Sequence, residues 1–349
     1  MVPTRNGRQQ NDADDLTELK VIAMHTTLIS VSDLQALQKS QQPFMIFDCS
    51  FELNQPETGV QKFAEAHIPG AVYAHLDNAL SARHNTSHNP PLHEKDSSSL
   101  LSQRGSPSLS AAEMDGRATL AMTDDEREPA SGGRHPLPNR ERFATWLSSI
   151  GFANDMQAVV YDRNGANYCG RLWWMLKWAG HDAVAVLDGG LQAWQAAGGP
   201  VASGVEPAHF QSTFLLSEPK ARLVDTATVV QHLGKPEQTL IDARATPRFR
   251  GEIEPLDPVA GHIPGALNRP YAQNLGPDGK FKSAEQLRAE FTALLGQRDP
   301  ATVVHHCGSG VSALPNMLAM EIAGLGSSAL YAGSWSEWCS DPARPVAQG

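Results

Sequence analysis

The chain has 349 residues, 41% hydrophobic and 19% charged, with a formal charge of −10 from 28 Lys and Arg against 38 Asp and Glu. That length exceeds one ordinary compact domain and suits two, and the absence of a basic cluster argues against a nucleic-acid partner. No apolar run is long enough to span a bilayer, so no membrane role is expected; four scattered cysteines, Cys49, Cys169, Cys307 and Cys339, show neither zinc spacing nor a disulfide framework, and a reducing cytoplasm is expected.

Residues 1–25 begin MVPTRNGRQQNDADDLTELK, which lacks the apolar core of a secretory signal and carries acidic residues unlike a transit peptide. They are expected to form a disordered leader. A first domain is expected over residues 26–200. Its opening strand, Met45-Ile46-Phe47-Asp48, precedes the phrase Ala66-His67-Ile68-Pro69-Gly70-Ala71. Residues 83–134 are rich in Ser, His, Asn, Pro and charge with little apolar periodicity, so a disordered insertion is expected there. A second strand, Ala158-Val159-Val160-Tyr161-Asp162, leads into an apolar helix over Leu172 to Trp178, and the half closes on Leu187-Asp188-Gly189-Gly190-Leu191-Gln192-Ala193-Trp194. The Gly, Pro, Ser and Ala of Gly198 to Lys220 read as a linker, 201–220 in the domain division, with a second domain over 221–349.

The second half then repeats the first. Leu240-Ile241-Asp242 matches the opening strand, and Gly261-His262-Ile263-Pro264-Gly265-Ala266 matches the phrase at His67. Thr302 to Cys307 matches the second strand, Leu314 to Ala323 is its helix, and Tyr331-Ala332-Gly333-Ser334-Trp335-Ser336-Glu337-Trp338 closes the half. The shared order makes this a duplicated domain. Short apolar strands alternating with helices imply an α/β fold, a parallel sheet flanked by helices in each half. Ligands of such sheets bind beyond the carboxyl ends of the strands, where Asp162 and Cys307 fall.

Cys307 heads the loop Cys307-Gly308-Ser309-Gly310-Val311-Ser312, and a helix follows. The glycines let the backbone curl so that several N–H groups point inward, and the helix start adds partial positive charge. Such a nest favours a thiolate and would hold a persulfide, with no metal or cofactor required. The paired His305 and His306 before the cysteine point to opposite faces of a strand, which disfavours a metal site. The aligned loop of the first half starts with Asp162, which cannot carry sulfur, so only the second half is expected to be catalytic.

Together these motifs resemble the tandem-domain rhodanese family, over about Thr26 to Val346 outside the insertion. The resemblance implies two rhodanese-like domains and a persulfide carried on Cys307. A Cys-Gly-Ser-Gly-Val-Ser loop with no Arg or Lys is similar to the branch acting on 3-mercaptopyruvate; thiosulfate is the alternative donor. By resemblance Arg248, in Asp242-Ala243-Arg244-Ala245-Thr246-Pro247-Arg248, faces the substrate anion, since a guanidinium grips a carboxylate or sulfonate with parallel hydrogen bonds. The other reading is that one of these arginines only pairs with Asp242 or a glutamate. The branch often has a second arginine before the second His-Ile-Pro-Gly, but Gly251 to Ala260 contains none. The resemblance further implies that His67 works with Ser309 in proton transfer; the alternative is that His67, like His262, holds its own domain together. The acceptor is expected to be cyanide, a thiol or a thioredoxin-like protein.

Other functions stay open on the residues alone. Related phosphatases need a longer loop ending in arginine, and Gly308 to Pro315 holds no basic residue. A binding module has no need of a thiol in a ring of N–H groups. A sulfur carrier dedicated to one partner protein would use the same chemistry at Cys307.

Overall fold

The computed structural model describes residues 24–82 and 132–349. The leader expected at 1–25 lies outside the described residues except for 24 and 25, and the insertion expected at 83–134 lies outside them except for 132–134.

The first half forms a five-stranded sheet from β1 (Leu28–Ile29), β2 (Phe44–Asp48), β3 (Val72–Tyr73), β4 (Gln157–Tyr161) and β5 (Val184–Leu187), in the order β1-β5-β4-β2-β3. The second forms another from β6 (Arg222–Val224), β7 (Thr239–Asp242), β8 (Leu267–Asn268), β9 (Val303–His306) and β10 (Ala329–Tyr331), in the order β6-β10-β9-β7-β8. Position for position the two orders are the same, and every pairing is parallel. The central strands β4 and β9 are buried at every residue, as expected of parallel strands covered on both faces. Asp162 and Cys307 are the first residues beyond them, at the carboxyl edge of each sheet.

The halves share one core. The helix Cys169–Trp178 is buried at every position, because its outer face meets the second domain. Trp174, Leu172 and Cys169 join Cys307, Val311, Leu314 and Leu318 in a single apolar cluster. Gly170 lies against Leu314, and a Cβ there would sit 3.2 Å from the leucine's own. Lys177 Nζ reaches Glu321 Oε2 at 2.8 Å across the same boundary. The segment 201–220 runs back along the first domain, pairing Ala202 with His67, burying Phe214 and returning Lys220 N–H to Lys177 O. Among the described residues no helix is long and apolar enough to cross a membrane.

Candidate active site

The closing motif of the second half holds the cysteine loop from beneath. Trp335 N–H donates to Cys307 O at 3.0 Å, and Ser336 N–H donates to Gly308 O at 2.9 Å. Cys307 N–H donates to Ser334 Oγ at 3.1 Å, and that hydroxyl donates to Tyr331 O at 3.0 Å. Ser334 has a φ of 56°, a costly left-handed conformation for a residue with a side chain, kept here because it sets the hydroxyl against the cysteine. Gly310, with a φ of 74°, lies so close to Ala332 O that a Cβ would collide with it.

The loop's amides are uncommitted. Among the described residues, none of the N–H groups from Gly308 to Ala313 reaches a hydrogen-bond acceptor, although most of this loop is buried. The first domain shows where such amides converge. Asp162 accepts from the N–H groups of Asn164, Ala166, Tyr168 and Cys169 at 2.8–3.0 Å. Gly165, like Gly310, adopts a positive φ three residues into the loop. The first loop is closed on its own carboxylate, whereas the second begins with a thiol and leaves its N–H groups unpaired.

Ser309 meets a partner from the first domain. His135 Nδ1 lies 2.8 Å from Ser309 Oγ, and His135 Nε2 lies 3.6 Å from Asp77 Oδ1. If the ring proton sits on Nε2 beside that carboxylate, Nδ1 accepts from the serine hydroxyl. Arg171, fully buried, ties these pieces together. Its Nη1 donates to Gly310 O and its Nη2 to His135 O, both at 2.9 Å, and it also reaches Leu80 O. Burial lowers the Arg171 guanidinium to a pKa of about 10, with the Cys307 charge acting in the opposite sense.

His67 stands elsewhere. Its ring stacks on Phe63 at 4.0 Å, with Nδ1 2.7 Å from Phe63 O and Nε2 3.0 Å from Glu206 Oε1. His262 repeats the arrangement, stacked on Phe249 at 3.8 Å with Nδ1 2.8 Å from Phe249 O. The structure therefore does not bring His67 to Ser309: its ring nitrogens are taken up by Phe63 of the first domain and by Glu206 of the segment that runs along it.

Two guanidinia flank the residue after the cysteine. A Cβ on Gly308 would lie 2.8 Å from Arg134 Nη2 and 3.6 Å from Arg248 Nη1. Arg248 is also held by Glu254, with Nη2 to Oε1 at 2.6 Å, and by Asp257 at 3.3 Å. Burial would raise the Glu254 carboxyl, but the bond and charge of Arg248 together with the N–H groups of Leu256 and Asp257 outweigh that and hold it below the usual range. Arg244 is committed to Asp242 at 2.7 Å and to Glu254. Val311 is buried beneath the loop and Ser312 is partly exposed. Burial pushes the Cys49 and Cys169 thiols up, with Asp48 and Asp162 adding to it, and burial also raises Cys339.

Asp77, Arg134 and His135 escape the sequence reading. The available signal is Arg134-His135-Pro136-Leu137-Pro138, a basic pair before a proline-framed leucine directly after a low-complexity stretch. Nothing in it specifies a partner in the other half.

A model of the rhodanese-like domain matches residues 30–197 and again 225–341. A Pseudomonas aeruginosa protein provisionally named 3-mercaptopyruvate sulfurtransferase is 41% identical over 319 residues, 90% of this chain and 95% of the relative. A Mycobacterium tuberculosis protein provisionally named thiosulfate sulfurtransferase SseB is 34% identical, over 92% of this chain and 97% of its own. Among solved structures, 3-mercaptopyruvate sulfurtransferase from Leishmania major superposes with a TM-score of 0.65 at 28% identity, covering 90% of this chain and 74% of that one. With two matched domains, two parallel sheets of one topology and these relatives, the chain belongs to the rhodanese family and is a sulfurtransferase.

Proposed function

We propose that the protein moves a sulfane sulfur from 3-mercaptopyruvate through a persulfide on Cys307 to cyanide or a thiol. The observation that carries this reading is the run of unpaired amides from Gly308 to Ala313 directly after Cys307, set against the matching loop of the other half, which is closed by Asp162. Such a ring stabilises a thiolate and then a persulfide anion by oriented dipoles.

In the first step the Cys307 thiolate attacks the sulfur of 3-mercaptopyruvate. The sulfur–carbon bond breaks, its electron pair passes to carbon as the enolate of pyruvate, and Cys307 is left as a persulfide. The enolate needs one proton to become pyruvate. In this scheme Ser309 delivers it, with His135, 2.8 Å from the hydroxyl, replenishing the proton and Asp77 steadying the imidazole. In the second step cyanide or a thiolate takes the outer sulfur and restores the Cys307 thiolate. Arg248 and the amides of Gly308, Gly310, Val311 and Ser312 bind the donor in this scheme. A thioredoxin-like protein is a fitting thiol acceptor, and four buried unpaired cysteines suit the reducing cytoplasm.

Thiosulfate remains the second reading, because the Mycobacterium relative carries that name. Paired kinetics on the native protein and Cys307→Ser, with either donor and cyanide as acceptor, decides. Turnover of 3-mercaptopyruvate with the larger kcat/KM, abolished in the variant, supports the proposal; preference for thiosulfate transfers it to the second reading, and full activity in Cys307→Ser removes Cys307 from the mechanism.

A further inference from the structure

We infer that Arg134 of the first domain is a donor-binding residue of the second domain's site, clasping the carboxylate of the sulfur donor over Gly308 together with Arg248. The inference rests on the reading of Cys307 as the sulfur carrier. Arg134 reaches the site from a segment anchored on the opposite domain. Gly132 N–H donates to Glu337 Oε2 at 3.0 Å, and Arg134 N–H donates to Ser336 Oγ at 3.1 Å. Gly133, with a φ of 89°, passes so close that a Cβ would lie 2.7 Å from Ser336 Oγ. The backbone is thereby fixed beside the loop.

The side chain is only partly used. Nη1 is paired with Asp257 Oδ1, whose other oxygen faces Arg248 Nη2 at 3.3 Å, so one carboxylate bridges both guanidinia. Among the described residues Arg134 Nε, which is buried, has no hydrogen-bond partner, and none is made by Nη2. Those two nitrogens form the side-on edge of a guanidinium, the edge that takes a planar carboxylate with two parallel bonds. The same Nη2 is the atom nearest the Cβ position of Gly308. Charge argues the same way. Arg134, Arg244 and Arg248 face Asp242, Glu254 and Asp257 in one linked cluster. Without Arg134 that cluster would be net negative and would repel an anionic donor.

The test uses pyruvate, which has the carboxylate but no sulfur to transfer, as a protectant of Cys307 against alkylation by neutral iodoacetamide. In the full-length native protein pyruvate slows alkylation. Arg134→Ala raises the half-protecting concentration by about 10- to 100-fold, as expected for a lost charge-assisted pair. Arg134→Lys recovers little of this, since an ammonium has no fork. Asp257→Asn removes the same ion pair but relieves a competing negative charge, so protection tightens. If Asp257→Asn weakens protection as Arg134→Ala does, Arg134 is only a tie between the domains and the inference is wrong. Absence of pyruvate protection in the native protein also overturns it. Failure to turn over 3-mercaptopyruvate, with the pattern of protection intact, would instead count against the proposed reaction and leave the clasp standing.

Discussion

His135 Nδ1 lies 2.8 Å from Ser309 Oγ, across 174 positions of sequence and the boundary between two domains. The half whose loop begins with Asp162 thus sets an imidazole against the loop that begins with Cys307. The two loops differ at their first residue: Asp162 closes one by accepting from four N–H groups, and Cys307 opens the other.

The pairing predicts a donor-selective defect. Release of pyruvate needs a proton, whereas sulfite leaves thiosulfate as an anion and needs none. His135→Asn and Ser309→Ala should therefore lower kcat with 3-mercaptopyruvate by about 10²- to 10⁴-fold and affect any thiosulfate turnover far less. Equal losses on both donors in steady-state assays would show that the pair acts on the fold of the loop instead.

His67→Ala should behave as a stability variant. It removes a buried ring bonded to Phe63 O and Glu206, at a cost of about 1–3 kcal/mol. Denaturant titration should register that loss while kcat/KM stays within about threefold of native, a change too small for a proton-transfer group.

Arg171→Met should be more damaging. It strips donors from the carbonyls of Gly310, His135 and Leu80 inside the domain interface. Buried acceptors left unpaired cost about 1–3 kcal/mol each, so a clear drop in Tm is expected together with loss of activity. A variant that retains native Tm and kcat would refute the role of Arg171 as the link between the relay and the loop.

Acid sensitivity should trace in part to His305. Burial, then the neighbouring charges of His306 and Arg269, lower its pKa to about 3. The unfolded chain binds a proton at this residue below its ordinary pKa of about 6.5, while the folded chain does not until near 3. The unfolded state therefore binds more protons across that window, and stability falls as pH drops below about 6.5, by up to about 1.4 kcal/mol per unit. His305→Leu should shrink the stability difference between pH 7 and pH 5 by up to about 2 kcal/mol. Parallel pH dependences for variant and native protein in chemical denaturation would contradict this.

What could be read from the residues was what lies close together along the chain. The strand, Gly-Ser-Gly loop and helix around Cys307 are contiguous, so local backbone chemistry sufficed to mark the nest, and repetition of the His-Ile-Pro-Gly phrase exposed the duplication. Repetition also bears on His67: the residue recurs in both halves at the same place, with His67 stacked on Phe63 and His262 on Phe249. Arg134 and His135 were hidden because they lie against Gly308, Asp257 and Ser309 in the other domain, and Asp77 because it meets that group through His135. No spacing rule connects such positions. Arg134 in addition falls at the edge of a stretch whose composition reads as unstructured.

The most direct test of Cys307 as the sulfur carrier is peptide mass spectrometry of the native protein after 3-mercaptopyruvate and before any acceptor is added. The account predicts a gain of one sulfur atom confined to the peptide containing Cys307, discharged by cyanide with release of thiocyanate. Turnover without sulfur on that peptide, or sulfur on Cys49, Cys169 or Cys339 instead, would contradict it.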